Sequence, residues 1–70
     1  MEVDKVQLAQ VDAFLTIYPE LRGELAESRL SVTLLTRALR WGGDDFANFL
    51  SKNMREVSEH VQQKNPQLGE

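Results

Sequence analysis

Cysteine is absent from this chain of 70 residues, and histidine occurs once, at His60. Without cysteine the chain can form no disulfide framework, no thiolate zinc site and no thiol nucleophile, which fits a reducing compartment. No apolar run approaches the roughly 20 residues that a membrane span requires, and the acidic N-terminus lacks the basic and apolar regions of a secretory signal. These absences favour a cytoplasmic domain that does not associate with membranes.

Charge and hydropathy indicate a folded, acidic domain. Eight lysines and arginines stand against 11 aspartates and glutamates, and the resulting net charge of −3 disfavours non-specific binding to nucleic acid. With 41% hydrophobic residues, the chain is too apolar for a disordered protein. A chain this short buries only about 60% of its unfolded surface on folding, so its core is thin and a partner would add to its stability.

The first part of the chain predicts two helices. Apolar residues at helical spacing predict a first helix from about Asp4 to Tyr18, with a face formed by Leu8, Val11, Leu15 and Tyr18. Pro19 suits the first position of a new helix, and a second, short helix is predicted from Pro19 to Ser28. Gly23 lies inside that stretch and costs about 1 kcal/mol relative to alanine, so a loop is the alternative.

Two longer helices are predicted after residue 30. Ser31 suits the N-cap of a third helix, which ends at Gly42 and Gly43. Asp44 or Asp45 caps a fourth helix that continues to Asn65 and Pro66. The apolar stripe of the third helix comprises Leu34, Leu35, Ala38, Leu39 and Trp41, and that of the fourth comprises Ala47, Leu50, Met54, Val57 and Val61.

The fold class that follows is all-α. Because no run of alternating polar and apolar residues predicts a strand, we expect a small bundle of three to four helices in an antiparallel arrangement. Residues 1–65 are predicted to form a single helical domain, and residues 66–70 a short disordered C-terminal tail.

Residues with catalytic or metal-binding potential are few. His60 lies four residues after Glu56, so the two side chains share a helical face, but two ligands on an exposed face make an incomplete metal site. Asp44 and Asp45 follow glycine at a helix start, where aspartate ordinarily serves as a cap. We therefore predict no catalytic residue, no metal site and no cofactor, and expect that the protein is not an enzyme.

Positive charge is concentrated in the middle of the chain. Residues 28–43 contain three bases, Arg29, Arg37 and Arg40, and no acid. These arginines either contact an acidic partner or DNA phosphates, or pair with Glu24, Glu27 or Asp45 of the chain itself; internal pairing is the favoured interpretation. The single tryptophan, Trp41, is either a binding anchor or the residue that closes the core, and the core interpretation is favoured.

Two stretches resemble parts of known helical DNA-binding domains. Residues 24–39 vaguely resemble a helix-turn-helix, although the turn lacks the usual glycine. Residues 31–50 are similar to the last two helices of phage-repressor-type domains. The two alignments assign the same residues to different helices, and neither family is claimed.

Two functional hypotheses follow. The leading one is a non-enzymatic interaction and regulatory module that binds another protein and self-associates as a homodimer through the wide apolar arc of the fourth helix. The residues expected at that interface are Phe46, Leu50, Met54, Val57 and Val61. The alternative is a small helix-turn-helix-like transcriptional regulator that contacts DNA through Arg29, Arg37 and Arg40.

Overall fold

The computed structural model describes residues 4–64, which form a small all-α bundle without a strand. The elements in chain order are α1 (Lys5–Ile17), a 3₁₀ turn (Pro19–Leu21), α2 (Arg22–Ala26), α3 (Val32–Lys52) and α4 (Met54–Lys64). The predicted fold class is therefore confirmed. The tail predicted at residues 66–70 lies outside the described residues.

Helix α1 begins and ends where the sequence indicates. The Asp4 carboxylate accepts a hydrogen bond from the Val6 N–H at 3.0 Å, and the Gln7 side chain accepts one from the Asp4 N–H at 3.3 Å. This reciprocal capping satisfies N–H groups that have no partner within the helix. Tyr18 is the C-terminal cap, because Pro19 disfavours helical geometry at the residue before it.

The stretch after Pro19 is helical, although it is shorter than predicted. The 3₁₀ turn leads directly into α2, and Ser28 beyond it has a left-handed φ of 58°, which does not continue a helix. Ser31 then caps α3 as predicted: its hydroxyl oxygen accepts the Leu34 N–H at 3.0 Å and its hydroxyl donates to the Glu24 carboxylate. The connection from α2 to α3 is thus held at both ends.

Gly43 divides α3 into two segments. Its φ of 74° and ψ of −168° belong to a region that is essentially restricted to glycine. We call residues 32–42 the first segment of α3 and residues 44–52 the second. The helix end predicted at Gly42 and Gly43 is therefore a kink between two helical segments. Gly42 packs closely as well, since a Cβ built there would lie 2.5 Å from the Phe46 Cβ.

The fourth helix predicted from Asp44 onward is not continuous, which corrects the sequence-based expectation. It breaks at Asn53, whose φ of −125° and ψ of 31° end α3 before α4 begins. The Asn53 side-chain amide donates to the Phe49 carbonyl oxygen at 3.0 Å, as does the Asn53 backbone N–H. Asparagine interrupts a helix in this way because its side chain competes for backbone hydrogen bonds.

Phe14 occupies the centre of the core, a position that the predicted face of α1 does not include. Its ring is fully buried and lies 5.3 Å from the ring of Tyr18, 5.7 Å from Trp41 and 5.1 Å from Phe46, centroid to centroid. This cluster joins α1 to both segments of α3. The other buried apolar residues are Val11, Leu15, Leu21, Leu25, Ala26, Leu34, Ala38, Ala47, Phe49, Leu50, Val57 and Val61.

Candidate interaction surface

The residues predicted to mediate self-association lie inside the single chain. Phe46, Leu50, Val57 and Val61 are buried in the core, and Met54 packs against it. The prediction rests on the view that one short bundle leaves this arc open. Instead, the break at residue 53 lets α4 turn back, and the bundle buries Phe46, Leu50, Val57 and Val61 and partly covers Met54.

Two of the predicted basic residues pair with acids of the same chain. Arg29 Nη1 lies 3.2 Å from Glu27 Oε1, as the pairing interpretation expects. Arg37 Nη1 lies 3.6 Å from Glu20 Oε2, an acid that the sequence does not bring into consideration, and its guanidinium carbon lies 5.1 Å from the Tyr18 ring centroid. The Arg29 pair is largely exposed and the Arg37 pair is partly exposed, and solvent-accessible pairs contribute little to stability.

Arg40 differs from the other two arginines. It is exposed, and none of the ion pairs within residues 4–64 includes it. It lies three residues after Arg37 on the first segment of α3, so the two guanidinium groups share one side of the helix. The structure thus brings Arg37 and Arg40 together on α3, whereas Arg29 lies in the turn before the helix.

Trp41 belongs to the edge of the core. It is half-buried, and its ring meets Phe46 edge to face at a centroid separation of 4.8 Å. Beside it lies an open groove of about 230 Å³ between α1 and the kink of α3, which Gln7, Gln10 and Asp45 also line. The packing of Trp41 against Phe46 is consistent with its predicted role in closing the core.

The first segment of α3 exposes aliphatic side chains that the sequence places in the core. Leu34 and Ala38 face inward as predicted, but Leu39 is 47% exposed and Leu35 is half-buried. Val32, one turn before Leu35, is 82% exposed. Since residues at i, i+3 and i+7 lie along one side of a helix, these side chains form a line, which we call the α3 stripe: Val32, Leu35 and Leu39.

His60 pairs across the bundle rather than along its own helix. Its Nε2 lies 2.9 Å from Oδ1 of Asp12 on α1, and Lys64 Nζ lies 3.7 Å from the other oxygen of the same carboxylate. The pairing with Glu56 that the spacing suggests is replaced by this contact. Within the described part of the chain, no three His, Cys, Asp or Glu residues come together as a metal site.

None of the helices between residues 4 and 64 combines the length and the apolar character that crossing a membrane requires. The candidate site is the aliphatic stripe on α3 with Arg40 at its border; at about 100° per residue, Arg37 lies farther around the helix, on the side that contacts Tyr18 and Glu20. Comparison of the chain with protein-family models, with curated proteins and with solved structures finds no match.

Proposed function

We propose that the protein is a non-enzymatic helical interaction module that binds an acidic, amphipathic helix of a partner protein on the α3 stripe. The observation that carries this proposal is the exposure of Val32 and Leu39 along one side of α3, beside Arg40. An exposed aliphatic line with basic residues at its border is typical of a docking surface for a second helix.

The aliphatic part of the surface supplies the driving force. Spacing at i, i+3 and i+7 is the pattern by which one helix packs on another. Complete burial of a valine or leucine side chain stabilises a complex by about 1.5–3 kcal/mol. In the single chain Val32 and Leu39 obtain only part of this, because the inward side of α3 is formed by Leu34 and Ala38. A partner helix would cover the remainder.

The arginines determine the charge of the partner. Residues 28–43 contain three arginines and no acid, and Arg40 is in none of the ion pairs within residues 4–64, so it leaves one uncompensated positive charge on this surface although the whole chain carries −3. The contacts of Arg37 with Glu20 and of Arg29 with Glu27 are exposed and weak, so a partner carboxylate can replace either acid at little cost. Complementary charge of this kind raises the association rate and fixes the orientation of the bound helix.

A DNA-binding regulator is the second candidate function. It is supported by the order of the elements, since the short helix α2 leads through a turn into α3, which carries Arg37 and Arg40. A phosphate would have to compete with Glu20 for Arg37, and the α3 stripe would have no role in contacting it. For these reasons we favour the protein partner.

Fluorescence anisotropy with three labelled probes tests the proposal. The probes are a synthetic acidic amphipathic helix, the same peptide with its acids replaced by lysine, and a DNA duplex of random sequence. We expect the acidic peptide to bind and the lysine version to bind at least about tenfold more weakly. We expect no DNA binding whose affinity falls steeply with salt concentration. Binding to DNA whose affinity falls steeply with salt, without binding to the acidic peptide, would favour the regulator.

Three variants locate the binding surface. Val32→Ser combined with Leu39→Ser, and separately Arg37→Glu combined with Arg40→Glu, should each weaken binding of the acidic peptide by about tenfold or more. Asn48→Ser on the second segment of α3, which is exposed and lies outside the surface, should leave binding unchanged. If all three proteins bind equally well, the α3 stripe is not the docking site.

A further inference from the structure

Helix α1 has an outer face without charge. After Lys5 the only ionisable residue of this helix is Asp12, which is partly buried and pairs with His60, and the more exposed residues are uncharged; the exposed residues of α3 and α4 include arginines, aspartates and glutamates. The end residues of the face are aliphatic, with Val6 65% exposed and Ile17 55% exposed. The members of this α1 outer face are Val6, Ala9, Gln10, Ala13, Thr16 and Ile17.

A surface helix normally presents charged residues to water. The α1 outer face is less polar than its composition indicates, because the Thr16 hydroxyl donates a hydrogen bond to the Asp12 carbonyl oxygen at 3.0 Å. The Thr16 hydroxyl thus already has a hydrogen-bond acceptor within the helix. The opposite side of α1 packs into the core through Val11, Phe14 and Leu15, so this helix is apolar on two sides. A helix of that kind is typical of an element covered from both directions.

We propose that the α1 outer face binds the same face of a second copy of this chain, with the two α1 helices antiparallel about a two-fold axis. The inference is independent of the proposed partner on the α3 stripe, since it uses another helix and other residues. It moves self-association away from the fourth predicted helix, whose apolar residues lie in the core.

The spacing of the face makes it complementary to itself. Its central residues follow one another at steps of four, three and four, at positions 6, 10, 13 and 17. This order is the same in both directions along the helix. In an antiparallel pair, Val6 therefore lies opposite Ile17 of the second copy, and Gln10 lies opposite Ala13 of the second copy. Large aliphatic residues meet at both ends, and the amide side chain meets a small residue at the centre.

Charge favours a second copy as the occupant and sets its direction. Each copy carries −3, and an interface free of ionisable residues brings no like charges into direct contact and avoids the cost of desolvating an ion. A charged partner would gain nothing from this face. A parallel pair would bring like ends of the two helix dipoles together, whereas an antiparallel pair opposes the dipoles.

The size of the face limits the affinity. The helix has 13 residues and is therefore about 20 Å long. Ala9 and Ala13 allow the two helices to approach closely, but a contact of this length is smaller than the roughly 800 Å² per partner of a standard interface. We expect a weak dimer with a dissociation constant on the order of 100 µM.

Sedimentation equilibrium of the full chain at concentrations from about 10 to 500 µM tests for this dimer. The average mass should rise from the 8.0 kDa of one chain towards twice that value. Ala13→Glu should raise the dissociation constant by about tenfold or more, because it places a charge in the contact of each copy. Asn48→Glu is the matched control: it adds the same charge to an exposed helical position on α3 and should leave the dimer intact.

Cross-linking determines the orientation, and the absence of cysteine from the natural chain makes it specific. Under mild oxidation, a mixture of Val6→Cys and Ile17→Cys chains should form the mixed disulfide faster than either variant forms a disulfide with itself. Circular dichroism of each variant confirms that the helices are retained. Cross-linking of Val6→Cys chains mainly with one another would overturn the antiparallel arrangement.

The outcomes separate this inference from the proposed function. The Val32→Ser and Leu39→Ser double variant should lose the acidic peptide and retain the dimer, whereas Ala13→Glu should do the opposite. A chain that stays at 8.0 kDa throughout the concentration range, or a dimer that Ala13→Glu does not weaken, would overturn the inference.

Discussion

His60 on α4 donates a hydrogen bond to Asp12 on α1, although the two residues are 48 positions apart. A carboxylate only accepts hydrogen bonds, so Nε2 of the histidine carries the hydrogen. The imidazole is largely buried, with 15% of its side chain exposed, while the carboxylate remains accessible to water. The single histidine of the chain thus ties its first helix to the last helix that the structure describes.

Replacing His60 by alanine should lower the free energy of unfolding by about 1 kcal/mol, since a partly buried hydrogen bond to a carboxylate is lost. Lys64→Ala is the control on the same carboxylate: its 3.7 Å contact joins largely exposed groups and should change stability by less than about 0.5 kcal/mol. Urea denaturation followed by Trp41 fluorescence measures both. Equal losses in the two variants would contradict the assigned role of His60.

Gly43 and Gly23 should respond in opposite ways to alanine. Gly43→Ala forces an alanine to adopt a φ of 74° and should lower the free energy of unfolding by about 1–3 kcal/mol. Gly23→Ala should raise the free energy of unfolding by about 0.4–1 kcal/mol, because Gly23 lies in α2 and a Cβ there meets no atom within 4 Å. Thermal unfolding followed by circular dichroism compares the two. A neutral Gly43→Ala variant would show that the kink in α3 does not depend on glycine.

Phe14 should be far more sensitive to substitution than the aliphatic residues on the surface of α3. Phe14→Leu removes a buried ring that contacts three other aromatic rings, and we expect a loss of about 1–3 kcal/mol. Val32→Ala removes two methyl groups at a site that is 82% exposed and should stay within about 0.5 kcal/mol of the natural chain. The midpoint of urea denaturation distinguishes the two variants; equal shifts would contradict the described core.

Ser58 and Gln62 should be coupled through one carbonyl group. The buried Ser58 hydroxyl and the Gln62 side-chain amide both donate to the Ala26 carbonyl oxygen, at 2.7 and 2.6 Å. Either single change to alanine leaves one donor in place and should cost about 1 kcal/mol. The double change leaves the carbonyl oxygen without a donor and should lower the free energy of unfolding by more than the sum of the two single losses. Strict additivity in the double-mutant cycle would contradict this shared acceptor.

The sequence predicts the helix ends that depend on near neighbours. Asp4 and Ser31 cap helices through bonds to residues two or three positions away, and the conformation of Gly43 is a property of glycine itself. Such signals can be recognised without knowledge of the fold. The break at Asn53 is harder to predict, because asparagine is also tolerated inside helices and only its observed bond to Phe49 distinguishes the two cases.

Contacts between distant segments limit the prediction of the surface. Apolar spacing predicts which side of a helix is apolar, but not how much of that side the rest of the chain covers. For this reason the spacing predicts Leu39 in the core, although it is half exposed, and predicts Leu50 and Val61 at an interface, although they are buried. The pairs Arg37 with Glu20 and His60 with Asp12 likewise depend on how the helices meet.

Two-dimensional NMR of the isotope-labelled chain, titrated with the synthetic acidic helix at low protein concentration, tests whether the α3 stripe is a docking surface. We expect saturable shifts of the amide resonances of Val32, Leu35, Leu39 and Arg40, with little change along α1. Shifts centred on Val6, Ala13 and Ile17 instead, or no saturable shifts at any position, would contradict the account.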